Sequence, residues 1–102
     1  MEIVLSGGMV KAEDALKMGI VNRMVPSEDL ESETMKLAEE ISRKSPYTTK
    51  VAKRVVRGAL ELPFSEGILM ERSEFVALFD TEDKEIGVRS FLERSEADWV
   101  GR

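Results

Sequence analysis

The chain has 102 residues, a net charge of −5 at neutral pH, and neither histidine nor cysteine. This length fits one small domain with a thin core, because a chain of this size buries about 65% of its unfolded surface on folding. The missing residue types exclude disulfides, Ser-His-Asp and Cys-His nucleophile systems, and histidine metal ligands.

The first quarter of the chain predicts a short helix followed by an extended segment. The stretch "AEDALKMG" predicts a helix from about Ala12 to Met18, with Gly19 as its C-terminal stop. The β-branched residues of "IVNRMVP", which ends at Pro26, favour a short extended piece.

Four further helices follow, each introduced by a hydroxyl residue that can cap a helix N-terminus. They are predicted from about Glu28 to Lys44, from Pro46 to near Pro63, after Ser65, and from Thr81 to near Ser95, with Ser27, Ser45, Ser65 and Thr81 as N-caps. Apolar residues recur along them at the spacing of one helix face. No alternating strand pattern is present, so the sequence predicts an all-α fold of about five helices.

The last predicted helix, "TEDKEIGVRSFLER", contains Gly87 near its middle. Glycine at such a position costs about 1 kcal/mol relative to alanine. Its lack of a side chain also lets another part of a structure approach the helix closely. We therefore interpret this segment as a docking helix.

The stretch "LSGGMVKAEDALKMGIVNRMVPSEDL" resembles a segment of the crotonase (enoyl-CoA hydratase/isomerase) superfamily. That segment reads approximately L-T-G-x-x-I-x-A-x-x-A-x-x-x-G-L-V-x-x-V-x-P-x-x-x-L. The matching positions are Leu5, Gly7, Val10, Ala12, Ala15, Gly19, Ile20, Val21, Val25, Pro26 and Leu30. The pattern continues in order through Ser45, Pro46, Lys53, Glu71, Phe75 and the segment from Thr81 to Phe91, so the resemblance covers essentially the whole chain.

The resemblance implies that this chain is the C-terminal helical region of a crotonase-like fold. Residues 1–26 would link it to an N-terminal spiral domain, and residues 27–102 would form the helical domain. "MEIVL" then resembles the end of a longer helix. In the family, the spiral domain carries the oxyanion-hole amides and the catalytic carboxylates. We therefore expect no catalytic residue in this chain and no activity from it alone.

The family also implies a coenzyme A contact on the last helix. Gly87, Phe91 and Arg94 share one face, at positions i, i+4 and i+7. A phenylalanine and a basic residue at the equivalent positions reach the adenosine end of coenzyme A. By resemblance, Phe91 would pack on adenine and Arg94 would pair with phosphate. The structural alternative is that Phe91 belongs to a core and Arg94 only faces solvent.

Three positions depart from the family pattern. Ile86 stands where the family commonly has glutamate, Lys11 where a serine usually caps the first helix, and Ser95 where an arginine is common. These departures affect the assignment to a subfamily more than the predicted fold.

Other charged groups have simpler explanations. Lys50, Lys53, Arg54 and Arg57 form a basic stripe that could hold coenzyme A phosphates or RNA, although a solvated helix face is the simpler interpretation. The acidic groups, among them Glu71, Glu74, Asp80, Glu82 and Asp83, lack calcium-loop spacing, and nothing in the sequence indicates burial of a carboxylate. We expect no metal site.

The resemblance implies an acyl-CoA thioester as the substrate of the intact enzyme, no covalently bound cofactor, and assembly into a trimer or hexamer. Five methionines, Met9, Met18, Met24, Met35 and Met70, suit adaptable contacts between subunits. The acidic net charge and the absence of a long apolar run predict neither nucleic-acid binding nor a membrane span, and a cytoplasmic setting is the default. The alternative function is a free-standing helical interaction module that does not bind acyl-CoA.

Overall fold

The computed structural model describes all residues from 1 to 102 and contains helices without any strand. Six α-helices follow in chain order: α1 (Glu2–Ser6), α2 (Ala12–Lys17), α3 (Leu30–Ser42), α4 (Pro46–Glu61), α5 (Phe64–Ala77) and α6 (Glu82–Glu93). Two 3₁₀ turns, Ser27–Asp29 and Leu78–Asp80, precede α3 and α6. The predicted all-α fold is confirmed, and the short helix α1 brings the number of α-helices to six.

Two of the four predicted N-caps are present. The Ser45 hydroxyl accepts a hydrogen bond from the Thr48 amide at 3.0 Å, with Pro46 in the first turn of α4. The Thr81 hydroxyl accepts one from the Lys84 amide at 3.1 Å. Both bonds satisfy amides that have no partner inside their own helix.

The other two predicted caps were wrong, because a proline takes the N-cap position in each case. Pro26 precedes the 3₁₀ turn that delays α3 until Leu30, and the Ser27 side chain makes no capping bond. Pro63 precedes α5, which begins at Phe64 instead of after Ser65. A proline fixes φ near the helical value, so a helix can start directly behind it without a hydroxyl cap.

The chain divides into two compact units, residues 1–36 and residues 37–102. In the first unit, Gly7 ends α1 at φ 62° and Gly19 follows α2 at φ 74°, which agrees with Gly19 as the predicted helix stop. Lys11 occupies the N-cap of α2 and makes no capping bond, as the departure from the family pattern indicated. The predicted boundary after residue 26 stays a prediction.

The second unit is built on a helical hairpin of α4 and α5, which are joined by a short turn at Leu62 and Pro63. Gly58 is buried where the two helices meet, and a Cβ there would lie 2.8 Å from the Met70 sulfur. Arg54 and Glu74 form an ion pair across the same contact. The absence of a side chain at Gly58 therefore permits the close approach of α4 and α5.

Little apolar surface is buried by the chain itself. Val51, at 5% exposure, is the one hydrophobic residue in the core. Large apolar side chains on α4 and α5 stay exposed, including Val56, Phe64, Leu69 and Phe75. Large apolar patches left in solvent mark interaction sites more often than free surface. None of the helices combines the length and the hydropathy that crossing a bilayer requires.

Candidate functional site

The candidate site lies on α6 and on the tail that follows it, residues 95–102. Thr81 caps the helix, and its first turn carries the acidic residues Glu82, Asp83 and Glu85. Carboxylates are favourable at this end, because the helix dipole places partial positive charge there. The opposite end of α6 holds the two residues that the family resemblance singled out, Phe91 and Arg94.

Asp83 connects the tail to the start of α6. Its side chain is 1% exposed and accepts hydrogen bonds from the Ser45 hydroxyl at 2.5 Å and from the amides of Val100 and Gly101 at 2.8 and 3.0 Å. Its own amide donates to the carbonyl of Arg102 at 3.0 Å. No buried polar side-chain atom is left without a partner. Asp83 therefore fixes the tail to both α6 and the N-terminus of α4.

The hydrogen bonds also determine the charge state of this carboxyl. Burial by itself raises the pKa of Asp83, but the bonds from Ser45, Val100 and Gly101 outweigh it and hold the pKa below its usual value. Asp83 is therefore an ionised structural group at neutral pH. A general acid would need the opposite shift.

Trp99 makes the second connection between the tail and the rest of the unit. A Cβ added at Gly87 would lie 3.1 and 3.3 Å from two carbons of the six-membered indole ring, and the indole Nε1 donates to the Arg43 carbonyl at 2.8 Å. The glycine in the middle of α6 thus has a local explanation: it makes room for Trp99. The docking partner of this part of the helix is the chain's own tail.

Phe91 lies one turn beyond Gly87 and is 83% exposed. Within these 102 residues Phe91 is therefore not buried, and its role stays a prediction. A large aromatic ring left in solvent on a helix face is a candidate surface for an apolar or planar group.

Arg94 ends α6 in a left-handed conformation, φ 55° and ψ 37°, and is the one non-glycine residue with positive φ. Glycine is usual at such a position, and other residues pay about 1 kcal/mol there. The four ion pairs of the chain do not include Arg94. Its guanidinium is therefore available to an anion, and a backbone outlier of this kind directs attention to function.

The basic stripe on α4 lies in the same unit. Its four residues line an open cavity of about 440 Å³ together with Gly58, Glu61, Leu62 and Met70. Arg54 is neutralised by Glu74, whereas Lys50, Lys53 and Arg57 have no ion-pair partner. The structure therefore leaves three of the four cations of the stripe free.

The acidic residues do not assemble into a metal site. No group of three or more carboxylates is close enough to hold a metal ion. Asp83, the one buried carboxylate, uses both oxygens on protein donors. What the site offers chemically is an aromatic surface and free cations.

Two residues with structural roles at this site were missed in the sequence. Asp83 stands inside a run of acidic residues, and Trp99 in a tail without periodicity, so neither carries a local signal. The chain's single tryptophan, six residues after the end of α6 and in a tail that follows a helix with a central glycine, was the available clue.

Comparisons with known proteins decide the family. The model of the enoyl-CoA hydratase/isomerase family matches residues 1–102. The chain belongs to this family. A Dictyostelium discoideum protein named "Probable enoyl-CoA hydratase, mitochondrial" is 39% identical over 99 residues, and a probable enoyl-CoA hydratase of Mycobacterium bovis is 36% identical over 102 residues.

The family relatives are longer than this chain. The alignments cover 97% and 100% of the chain but 36% and 40% of the Dictyostelium and Mycobacterium proteins. Among solved structures, a subunit of enoyl-CoA hydratase from Geobacillus kaustophilus superposes with a TM-score of 0.86 at 36% identity, covering 95% of this chain and 38% of that one. The helical architecture is thus that of one part of the family fold.

Proposed function

We propose that this chain forms the C-terminal helical part of an enzyme that acts on acyl-CoA thioesters, and that it supplies part of the coenzyme A pocket. The observation that carries this proposal is the exposed ring of Phe91, three residues before an Arg94 that makes no ion pair, on a chain that belongs to the enoyl-CoA hydratase/isomerase family. The relatives of which it spans 36–40% are named as enoyl-CoA hydratases.

The proposed contacts follow from the chemistry of coenzyme A. Its adenine is a planar ring that can pack on Phe91, and its phosphates are anions that Arg94 can bind in a bidentate manner. Arginine is suited to this task, because its planar fork of donors matches phosphate geometry better than a lysine ammonium does. Gly87 and Trp99 would support the pair by holding α6 against the tail.

In this proposal, the catalytic groups of the whole enzyme are not among these 102 residues. Two backbone amides would stabilise a thioester enolate, and carboxylates elsewhere would move the protons. In this chain the buried carboxylate is committed to Ser45 and the tail, so it is not free to transfer a proton. The chain would then contribute binding and assembly, and by itself would not hydrate an enoyl thioester.

We also propose that the exposed apolar faces pack against other parts of a larger enzyme, in a trimer or hexamer. Support comes from the small core, one buried hydrophobic residue, beside exposed side chains such as Phe64 and Leu60, at 86% and 87% exposure. Burying each such side chain stabilises a contact by about 1.5–3 kcal/mol. Self-association of the chain at micromolar concentration, detected by light scattering, is the expected result.

A titration with coenzyme A tests the binding proposal. In ¹⁵N–¹H NMR spectra, amide shifts should concentrate at the C-terminal end of α6 and saturate in the millimolar range, about 1 mM. Phe91→Ala should abolish them. Shifts that are absent, or equally large in Phe91→Ala, would contradict the assignment of this pocket.

Light scattering and thermal unfolding, together with the coenzyme A titration, distinguish this proposal from the alternative, a helical interaction module that does not bind acyl-CoA. That alternative expects one monodisperse species, a cooperative melt, and no response to coenzyme A. Hydration of crotonyl-CoA by the purified chain would contradict the proposal that this chain alone is inactive. That reaction requires catalytic groups that we assign to other parts of the enzyme.

A further inference from the structure

A second cavity of the unit formed by residues 37–102 lies between the tail and α4, apart from Phe91 and Arg94. It has a volume of about 740 Å³, within the range of about 300–1,000 Å³ that is usual for small-molecule sites. It is lined by Ile41, Ser42, Lys44, Pro46, Thr49, Lys50, Lys53, Ala97, Asp98 and Trp99. Neither Phe91 nor Arg94 contributes to it.

The lining combines two kinds of surface. Ile41, Pro46 and Trp99 provide an apolar and aromatic wall, while Lys44, Lys50 and Lys53 provide three ammonium groups. None of these lysines takes part in an ion pair. Asp98 is the one carboxylate in the lining, so three lysines and one aspartate leave a net charge of +2.

This local charge is opposite in sign to that of the chain, which carries −5 overall. Clustered cations with low-dielectric surface beside them raise the local concentration of anions. Two of the lysines, Lys50 and Lys53, also line the neighbouring cavity of about 440 Å³, where Arg57 adds another unpaired cation and Glu61 adds one carboxylate. An anion with more than one phosphate could therefore extend from one cavity toward the other.

The wall is held in place by contacts already described. The tail that carries Ala97 to Trp99 is fixed by Asp83, and the Trp99 indole is fixed by Gly87 and by the Arg43 carbonyl. Pro46 follows Ser45, which donates to the same carboxylate. The apolar wall is thus positioned before any ligand binds, which lowers the ordering cost of binding.

From this combination we infer that the cavity between the tail and α4 binds an organic phosphate, with the phosphate at the three lysines and the apolar body on Trp99, Ile41 and Pro46. This inference is independent of the proposed coenzyme A contact on α6. A nucleotide and a phosphorylated alkyl group share this chemistry, so ADP and hexyl phosphate serve as the two probes. Inorganic phosphate represents the anionic part alone, and adenosine represents ADP without its phosphates.

The single tryptophan of the chain is a built-in reporter, because it lines the cavity. We expect ADP, hexyl phosphate or both to change the Trp99 emission saturably, with inorganic phosphate and adenosine at least about tenfold weaker, which corresponds to about 1.4 kcal/mol. The stronger of the two probes identifies the class of apolar body. Higher salt should weaken binding, because it screens the lysines.

Crossed variants decide which site is responsible. Lys50→Gln combined with Lys53→Gln should weaken the response about tenfold or more, whereas Lys17→Gln, which removes an exposed lysine outside the lining, should not change it. The same titrations in Phe91→Ala test whether the proposed coenzyme A contact on α6 contributes to the response. Circular dichroism establishes that each variant is folded, since glutamine is as good a helix former as lysine.

Several outcomes would overturn the inference. One is an unchanged Trp99 emission with all four probes up to about 10 mM, a concentration well above the weakest useful affinity of about 1 mM. Another is equal binding by the folded Lys50→Gln, Lys53→Gln double variant. Loss of the response in Phe91→Ala would assign ADP to the α6 site and leave this cavity without a ligand.

Discussion

Trp99 lies against Gly87 and at the same time donates its indole N–H to the carbonyl of Arg43, so one tail side chain connects α6 with the end of α3. Two contacts on one ring hold it in place. A methyl group added at residue 87 therefore meets an atom that cannot retreat freely, unlike the end of a flexible side chain.

Gly87→Ala should destabilise the chain by about 1 kcal/mol. Overpacking typically costs about 1–3 kcal/mol, which here exceeds the gain of about 1 kcal/mol that alanine brings to a helix interior. Gly67 in α5 is the matched control, because a Cβ there meets nothing within 4 Å. Gly67→Ala should stabilise by up to about 1 kcal/mol in urea unfolding. Equal gains for both variants would show that Trp99 does not restrict residue 87.

Ser45 and Asp83 are expected to act as one unit. Ser45→Ala removes both the cap of α4 and a bond to a buried carboxylate, which together cost about 2 kcal/mol. Thr81→Ala removes a cap whose hydroxyl has no link to Asp83, and should cost about 1 kcal/mol.

A double-mutant cycle measures the link directly. Ser45→Ala combined with Asp83→Asn should cost about 1 kcal/mol less than the two single changes added together, because the shared bond can be lost only once. Additive costs in chemical denaturation would mean that the 2.5 Å contact contributes nothing to stability.

Asp83 also predicts how stability depends on pH. The pKa of its carboxyl is lowered in the folded chain, so the folded chain binds fewer protons than the unfolded chain, and stability rises with pH in this range. The stabilisation is fully present above the unfolded pKa, about 3.9, and is lost as pH falls through the lower folded pKa.

Asp83→Asn should remove that acid dependence, because asparagine does not titrate. Thermal unfolding measured at several pH values below about 5 should then show a smaller loss of melting temperature in the variant than in the wild type. Asp80→Asn, which removes a carboxylate that accepts no hydrogen bond, serves as the control for the change in net charge. Parallel curves for Asp83→Asn and the wild type would contradict the role of Asp83.

These contacts also indicate how far the sequence alone could go. The all-α fold and the caps at Ser45 and Thr81 were predictable, because each depends on residues within one helical turn. The burial of Asp83 and the position of Trp99 were not, since their partners lie 38 and 56 residues away in the chain. Phe91 and Arg94 were found by family resemblance, and their coenzyme A role stays a prediction.

Arg94 gives the sharpest test of that role, because stability and binding should change in opposite directions. Arg94→Gly relieves the left-handed backbone at φ 55° and should stabilise the chain by up to about 1 kcal/mol. The same change removes the guanidinium, so the affinity for coenzyme A should fall about tenfold, or about 1.4 kcal/mol.

The control is Arg89→Gln, which removes an unpaired positive charge from the same helix but lies two residues before Phe91, on a different side of the helix. It should leave coenzyme A binding nearly unchanged in the NMR titration. If Arg94→Gly is more stable but binds coenzyme A as well as the wild type, the guanidinium is not part of the pocket. If Arg94→Gly and Arg89→Gln lose the same affinity, the effect is one of general charge. A selective loss in Arg94→Gly, in a chain that has become more stable, would mean that the strained C-cap is maintained for the sake of the ligand.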